Sequence, residues 1–178
     1  MARTKLTQAF KDAISDLPDK DKDKLLYRLI AKDSALVEKL TFELIEDGQT
    51  MESRREALGD SIQQRLKLEK QQFYSPGYVL LKIRGLSGDI NRHVKTTKDH
   101  YGEIELNFFL LNETLFQMGD LLKGQPSRKM ETLAAYIIKR TLKLFQLLRK
   151  QHPDVLLDFA QDMKDLGENI GQHDLLML

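Results

Sequence analysis

The sequence predicts an all-α fold, an irregular bundle of about eight helices arranged as antiparallel hairpins. Two observations carry this. Apolar residues recur every three or four positions through most of the chain, and only four prolines and ten glycines punctuate its 178 residues. The strongest stretch is Glu103–Leu122, where Ile104, Phe108, Leu111, Leu115, Met118 and Leu122 make one continuous stripe on a 3.6-residue period. Phe109 and Phe116 lie beside it, and Leu106, Leu110 and Leu121 add apolar surface elsewhere. A helix apolar over so much of its circumference needs partners on several sides, so this one is expected at the centre.

The first helix is expected over Arg3–Ser15, with Leu6, Phe10, Ala13, Ile14 and Leu17 on its apolar face. Leu17-Pro18 closes it, because a residue before proline is driven out of the helical region. The second begins in the alternating charges of Asp19–Asp23 and carries Leu25, Leu26, Leu29 and Ile30. Asp33-Ser34 supplies a turn and an N-cap, and the third helix runs on through Leu36, Val37, Leu40, Leu44 and Ile45 to Gly48. So short a break predicts a helical hairpin.

Thr50–Phe73 reads as a long helix with a thin stripe, Met51, Leu58, Ile62, Leu66 and Phe73, and a possible capping box at Ser53 and Glu56. Its broad polar surface is offered to water or to a dimer seam. Ser75-Pro76 starts the next helix, which is expected to bury Val79, Ile83, Leu86, Ile90, Val94, Thr97 and Tyr101 and to end at Gly102. After the central helix, Lys129–Lys150 carries Leu133, Ile137, Leu144 and Leu148. A last helix, Asp154–Ile170, carries Val155, Phe159, Met163, Leu166 and Ile170, with Leu175–Leu178 able to dock beyond it.

The length fits one domain, 1–178, with a subdivision near 73–77 as the alternative. Leu25–Leu44 also aligns without gaps on Leu144–Met163, helix, break and helix in both. That echo makes a short HEAT-like α-solenoid the alternative architecture.

Composition narrows the chemistry. The formal net charge is +1 and there is no cysteine, which removes disulfides, thiolate metal sites and cysteine nucleophiles together. The N-terminal stretch lacks a signal-peptide core and no apolar run reaches membrane-spanning length, so the expectation is a cytoplasmic protein without a membrane partner. No phosphate-binding glycine loop, dinucleotide fingerprint or zinc-protease motif occurs, and no cofactor is implied.

Lys82–Tyr101, KIRGLSGDINRHVKTTKDHY, holds the most chemistry. Gly85 and Gly88 interrupt a regular helical pattern at about 1 kcal/mol each, which predicts either close approach of another helix or a break that exposes backbone to a ligand. Arg84, Asn91, Arg92, Lys95, Lys98 and Asp99 fall opposite the apolar stripe. From Lys82 to Lys98 five Lys/Arg stand against one Asp, which makes this face a candidate phosphate binder, for nucleic acid or a nucleotide. The acidic last helix, Asp154–Asp174, is expected to cover it or to orient a dimer. Asp89 and His93, one turn apart, are weak metal candidates and more simply a local contact. Glu43 with Glu46 and Asp162 with Asp165 are paired acids of the kind that hold Mg²⁺ in all-α nucleotide hydrolases, provided their helices face each other. The basic residues around Lys129–Lys150, Arg140 among them, read as an outer face that hints at an acidic partner.

No catalytic constellation emerges. The leading expectation is therefore a non-enzymatic interaction or scaffold domain for a protein partner or for self-association. A nucleic-acid binder is the second reading and a metal-dependent hydrolase the third.

Overall fold

A computed structural model describes the backbone of residues 4–70, 75–122 and 127–172, and their side chains apart from 68–70 and 118–122. Everything regular among the described residues is helical, as the sequence predicts. The chain forms two compact units, Met1–Asp47 and Gly48–Leu178. Asp47 and Gly48, at the junction, both take left-handed backbone conformations, with φ 49° and 68°. Gly48 thus closes the preceding helical run, where the sequence placed a C-cap.

The first unit holds α1 (Gln8–Ser15), α2 (Asp19–Ile30) and α3 (Ser34–Leu40), the last extended by a π-helical turn, Thr41–Ile45. Thr7 caps α1, accepting from the Phe10 amide at 3.3 Å, so this helix starts later than its apolar pattern predicted. Asp33 Oδ1 caps α3 as expected, accepting from the amides of Ala35 and Leu36 at 3.0 and 3.1 Å. α2 and α3 pack as neighbours. The π-turn adds a residue to the helical repeat and rotates the side chains that follow it. Phe42 is buried there, whereas Leu44 and Ile45, expected on the apolar face, are 75% and 80% exposed.

The second unit is built on α6 (His100–Leu122), which packs against α4 (Met51–Lys70), α5 (Pro76–Thr97), α7 (Arg128–Leu148) and α9 (Ala160–Gln172). Its central place is the one read from its apolar pattern. Ile104, Phe108, Leu111 and Leu115 are all at most 2% exposed, and Leu106 and Leu110 are buried on other sides. Each such side chain contributes about 1.5–3 kcal/mol on leaving water. Met118, Leu121 and Leu122, like Phe73 and Leu175–Leu178, lie outside the described side chains.

The partner helices follow their stripes. Ile62 and Leu66 of α4 are fully buried, as are Val79, Ile83, Leu86 and Ile90 of α5 and Leu133, Ile137, Leu144 and Leu148 of α7. Ser75 and Ser127 cap α5 and α7 by accepting from the amides of Tyr78 and Met130. Ser53 is no cap. α4 has already begun, and the Ser53 hydroxyl donates back to the Thr50 carbonyl at 3.0 Å.

Two boundaries differ from expectation. α5 ends at Thr97 and not at Gly102, because Lys98 turns into the left-handed region (φ 62°) and Asp99 caps α6. The expected last helix is two, α8 (Pro153–Asp158) and α9, broken at Phe159. The Phe159 ring is 3% exposed and lies 5.6 Å from Phe108 and 5.0 Å from Tyr101, centroid to centroid.

Candidate functional site

The polar side of α4 is one wall of a cleft. Glu52, Glu56 and Asp60 recur every four residues and stand in one row, with Arg55, Gly59 and Gln63 in the row beside it. α6 faces them with Tyr101, Glu105, Leu106 and Phe109. The break between α8 and α9 contributes Asp158, Phe159 and Asp162. The cleft is open to solvent and has a volume of about 690 Å³.

Among the described residues, six carboxylates and one guanidinium line this cleft. That guanidinium is already committed. Arg55 reaches Glu105 at 3.1 Å, Glu52 at 3.4 Å and Asp99 at 3.5 Å, and its head lies 5.6 Å from the centre of the Tyr101 ring. Glu56, Asp60, Asp158 and Asp162 have no ion-pair partner among the described residues. Burial, with a smaller part from the neighbouring acids, shifts two groups of the cleft. Burial, then Asp165, raises the Asp162 carboxyl above its ordinary value. Burial, then Asp158 and Glu105, raises the Tyr101 hydroxyl.

Arg55 ties the cleft to a buried corner between α5 and α6. Asp99, 4% exposed, accepts from the Gly102 amide at 2.7 Å and faces His93 Nε2 at 3.3 Å. Thr97 completes the corner, its hydroxyl donating to the His93 carbonyl at 2.9 Å and accepting from the Asp99 amide at 3.2 Å. A side chain at Gly102 would run into the Asp99 carboxylate and come within 2.6 Å of Arg55 Cδ. On the other side of the break, Asn112 of α6 donates to the Asp162 carbonyl at 3.4 Å and accepts from Asn169 at 3.1 Å, joining α6 to α9.

Several sequence expectations change here. Asp99 is not on a solvated face but buried. Asp89 does not contact His93; it pairs with Arg65 at 2.7 Å and with Arg92 at 3.6 Å, while His93 turns inward to Asp99. Gly85 and Gly88 mark neither a close helix approach nor a break. α5 runs through both, and among the described residues an added Cβ would meet only the Arg65 head at 3.8 Å at Gly85 and nothing within 4 Å at Gly88. Nothing in the structure explains these two glycines. Arg140 leaves the outer face of α7, turning in to donate twice to Asn107 Oδ1 of α6, at 2.7 and 2.9 Å. Burial lowers its pKa below the ordinary value.

Of the five candidate phosphate ligands, Arg84 packs over the Tyr136 ring at 5.4 Å and Arg92 is tied to Asp89. Asn91 is half-buried, and Lys95 and Lys98 are exposed. The acidic residues Asp158 and Asp162 face α4 across the cleft. Glu43, paired with Lys39 at 3.5 Å, and Glu46 belong to the first unit, Asp162 and Asp165 to the second. Among the described residues, no three His, Asp or Glu side chains are grouped to hold a metal ion.

The chain matches no known protein family, no curated protein and no solved structure. Sequence reasoning missed Glu52, Glu56, Asp60 and Glu105 as a group. The four-residue spacing on α4 was visible, but which helix stands opposite is a property of the folded chain.

Proposed function

We propose that residues 48–178 form a non-enzymatic interaction domain whose acidic cleft receives a cationic segment of a protein partner. The observation that carries this reading is the imbalance of the lining, six carboxylates to one guanidinium that is itself held by three of the acids around it. Four carboxylates remain to meet incoming charge. Lysine and arginine suit the cleft chemically, because their alkyl stems can lie along Phe109 and Tyr101 while their heads stay among the acids. Such complementarity sets partner choice and association rate more than raw affinity.

Fluorescence anisotropy with the full chain tests this. Three labelled probes are compared at low and high salt: a Lys/Arg-rich peptide, the same peptide with glutamates in place of the basic residues, and a single-stranded RNA. The basic peptide is expected to bind, and to weaken as salt screens the field. Replacing Glu56→Gln and Asp60→Asn together removes two pairs of about 0.2–1 kcal/mol each, a loss of roughly 2- to 30-fold in affinity. Equal binding of both peptides, or no effect of the double substitution, refutes the reading. Binding of the RNA alone would move the site to the α5 face with Lys95 and Lys98.

A further inference from the structure

The outer face of α5 is a charged surface that nothing in its own chain covers. On a helix turning about 100° per residue, Arg84, Gly88, Asn91, Arg92 and Lys95 fall within one arc of about 100°. That arc holds three cations and no acid, and Lys98 stands beyond it at the C-cap. Arg84, Gly88, Arg92, Lys95 and Lys98 are all exposed. The acids of the last helices, expected to cover this face, are engaged elsewhere: Asp158 and Asp162 line the cleft opposite α4. None of the α5 residues lines that cleft. The whole-chain charge of +1 therefore hides two separate surfaces of opposite sign.

The two surfaces match in pitch as well as in sign. Glu52, Glu56 and Asp60 make a row about 12 Å long on α4, and Arg84 to Lys95 one of about 17 Å on α5, both at helical spacing. Each has charge to spare. Lys95 and Lys98, like Glu56, Asp60, Asp158 and Asp162, have no ion-pair partner among the described residues. Arg92 is 63% exposed although it approaches Asp89. Gly88 lies within the basic arc, and an added Cβ there meets nothing within 4 Å among the described residues. Bare backbone at that point lets a facing surface come close.

We propose that the α5 face of one copy docks in the acidic cleft of another, so that the cationic segment the cleft receives is this chain's own α5. The proposal rests on the reading of the cleft as a receiver of cations. Because the two patches differ, the contact runs head to tail, and assembly continues until it closes into a ring.

Sedimentation of the full chain from about 1 to 100 µM, at low and high salt, tests it. The mass is expected to rise above 20.6 kDa with concentration and to fall back with salt. Arg92→Glu with Lys95→Glu sets acid against acid, and Glu56→Lys with Asp60→Lys sets base against base. Each pair is expected to weaken association by about 100-fold or more. An equimolar mixture of the two variants should associate again, because each supplies the surface the other lacks, and that recovery shows both to be folded. On the unaltered chain, an excess of the Lys/Arg-rich peptide should return the assembly to 20.6 kDa, so the test stands even if a variant loses helix. An assembly that ignores bound peptide, or that survives either pair of substitutions, overturns the proposal. A chain that binds the peptide yet stays at 20.6 kDa throughout overturns this inference and leaves the cleft reading standing, whether or not α5 takes up RNA. A monomer that ignores the peptide overturns both.

Discussion

Gly102→Ala is expected to destabilise the protein, although alanine is the better helix former. Gly102 lies in the first turn of α6, where alanine would ordinarily gain about 1 kcal/mol. Here the added methyl occupies the place of the Asp99 carboxylate and crowds Arg55 Cδ at 2.6 Å. Asp99 must move, and its 2.7 Å bond from the Gly102 amide goes with it. Loss of an N-cap costs about 0.5–2 kcal/mol. Weakening the contacts of a buried carboxylate with His93 and Arg55 adds about 1–3 kcal/mol. Subtracting the helix-propensity gain leaves a net loss of about 0.5–4 kcal/mol. At roughly 3 °C per kcal/mol for a chain of this length, the melting temperature should fall by about 2–12 °C. Thermal unfolding followed by circular dichroism measures this. Gly88→Ala is the internal control, since its methyl meets nothing within 4 Å, and it should raise stability by about 0.5–1 kcal/mol. If Gly102→Ala melts at or above the parent temperature, the account of the Asp99 corner is wrong.

Three further outcomes follow from the same contacts. Phe159→Ala removes a ring packed on Phe108 and Tyr101 and should cost about 3–5 kcal/mol in urea unfolding, with α8 and α9 losing amide protection first. Asp162→Asn should stabilise the fold at pH 7. The folded-state pKa of Asp162 is raised, so its ionised form penalises folding above that pKa, and the penalty disappears as pH falls through it; melting curves of variant and parent should converge toward pH 3. Arg140→Ala leaves Asn107 without its donors in a mostly buried position and should cost about 1–3 kcal/mol, whereas Lys139→Ala on the exposed face should cost almost nothing, both read by chemical unfolding.

Helices were legible where one periodicity ran uninterrupted between clear caps. Ser75-Pro76 and the stripe from Ile104 to Leu115 gave elements and burial together, because local spacing determines them; Asp33 gave the start of α3 but not its burial, since Leu36 and Val37 are exposed. What escaped the sequence depended on neighbours. The helical pattern of Asp154–Ile170 continues through Phe159, yet the backbone breaks there, at a ring packed against Phe108 and Tyr101. Asp99 looked solvent-facing on a wheel drawn for α5, yet that wheel stops at Lys98. The π-turn has no mark in composition, and it reverses the burial of Leu44 and Ile45. The cleft was hidden for a related reason. Its acids come from three separate stretches, each of which reads as an ordinary polar helix surface until α4, α6 and the α8–α9 break are set opposite one another.

Phe159 serves two surfaces at once, backing the acidic cleft with one edge and closing the ladder of rings in the interior with the other. On the proposed reading of the cleft, recognition and folding therefore share a component. A lineage adjusting what the groove is proposed to accept would have to leave this ring in place, and drift in that proposed selectivity should be confined to the carboxylates at the rim, where a change of charge leaves the scaffold intact.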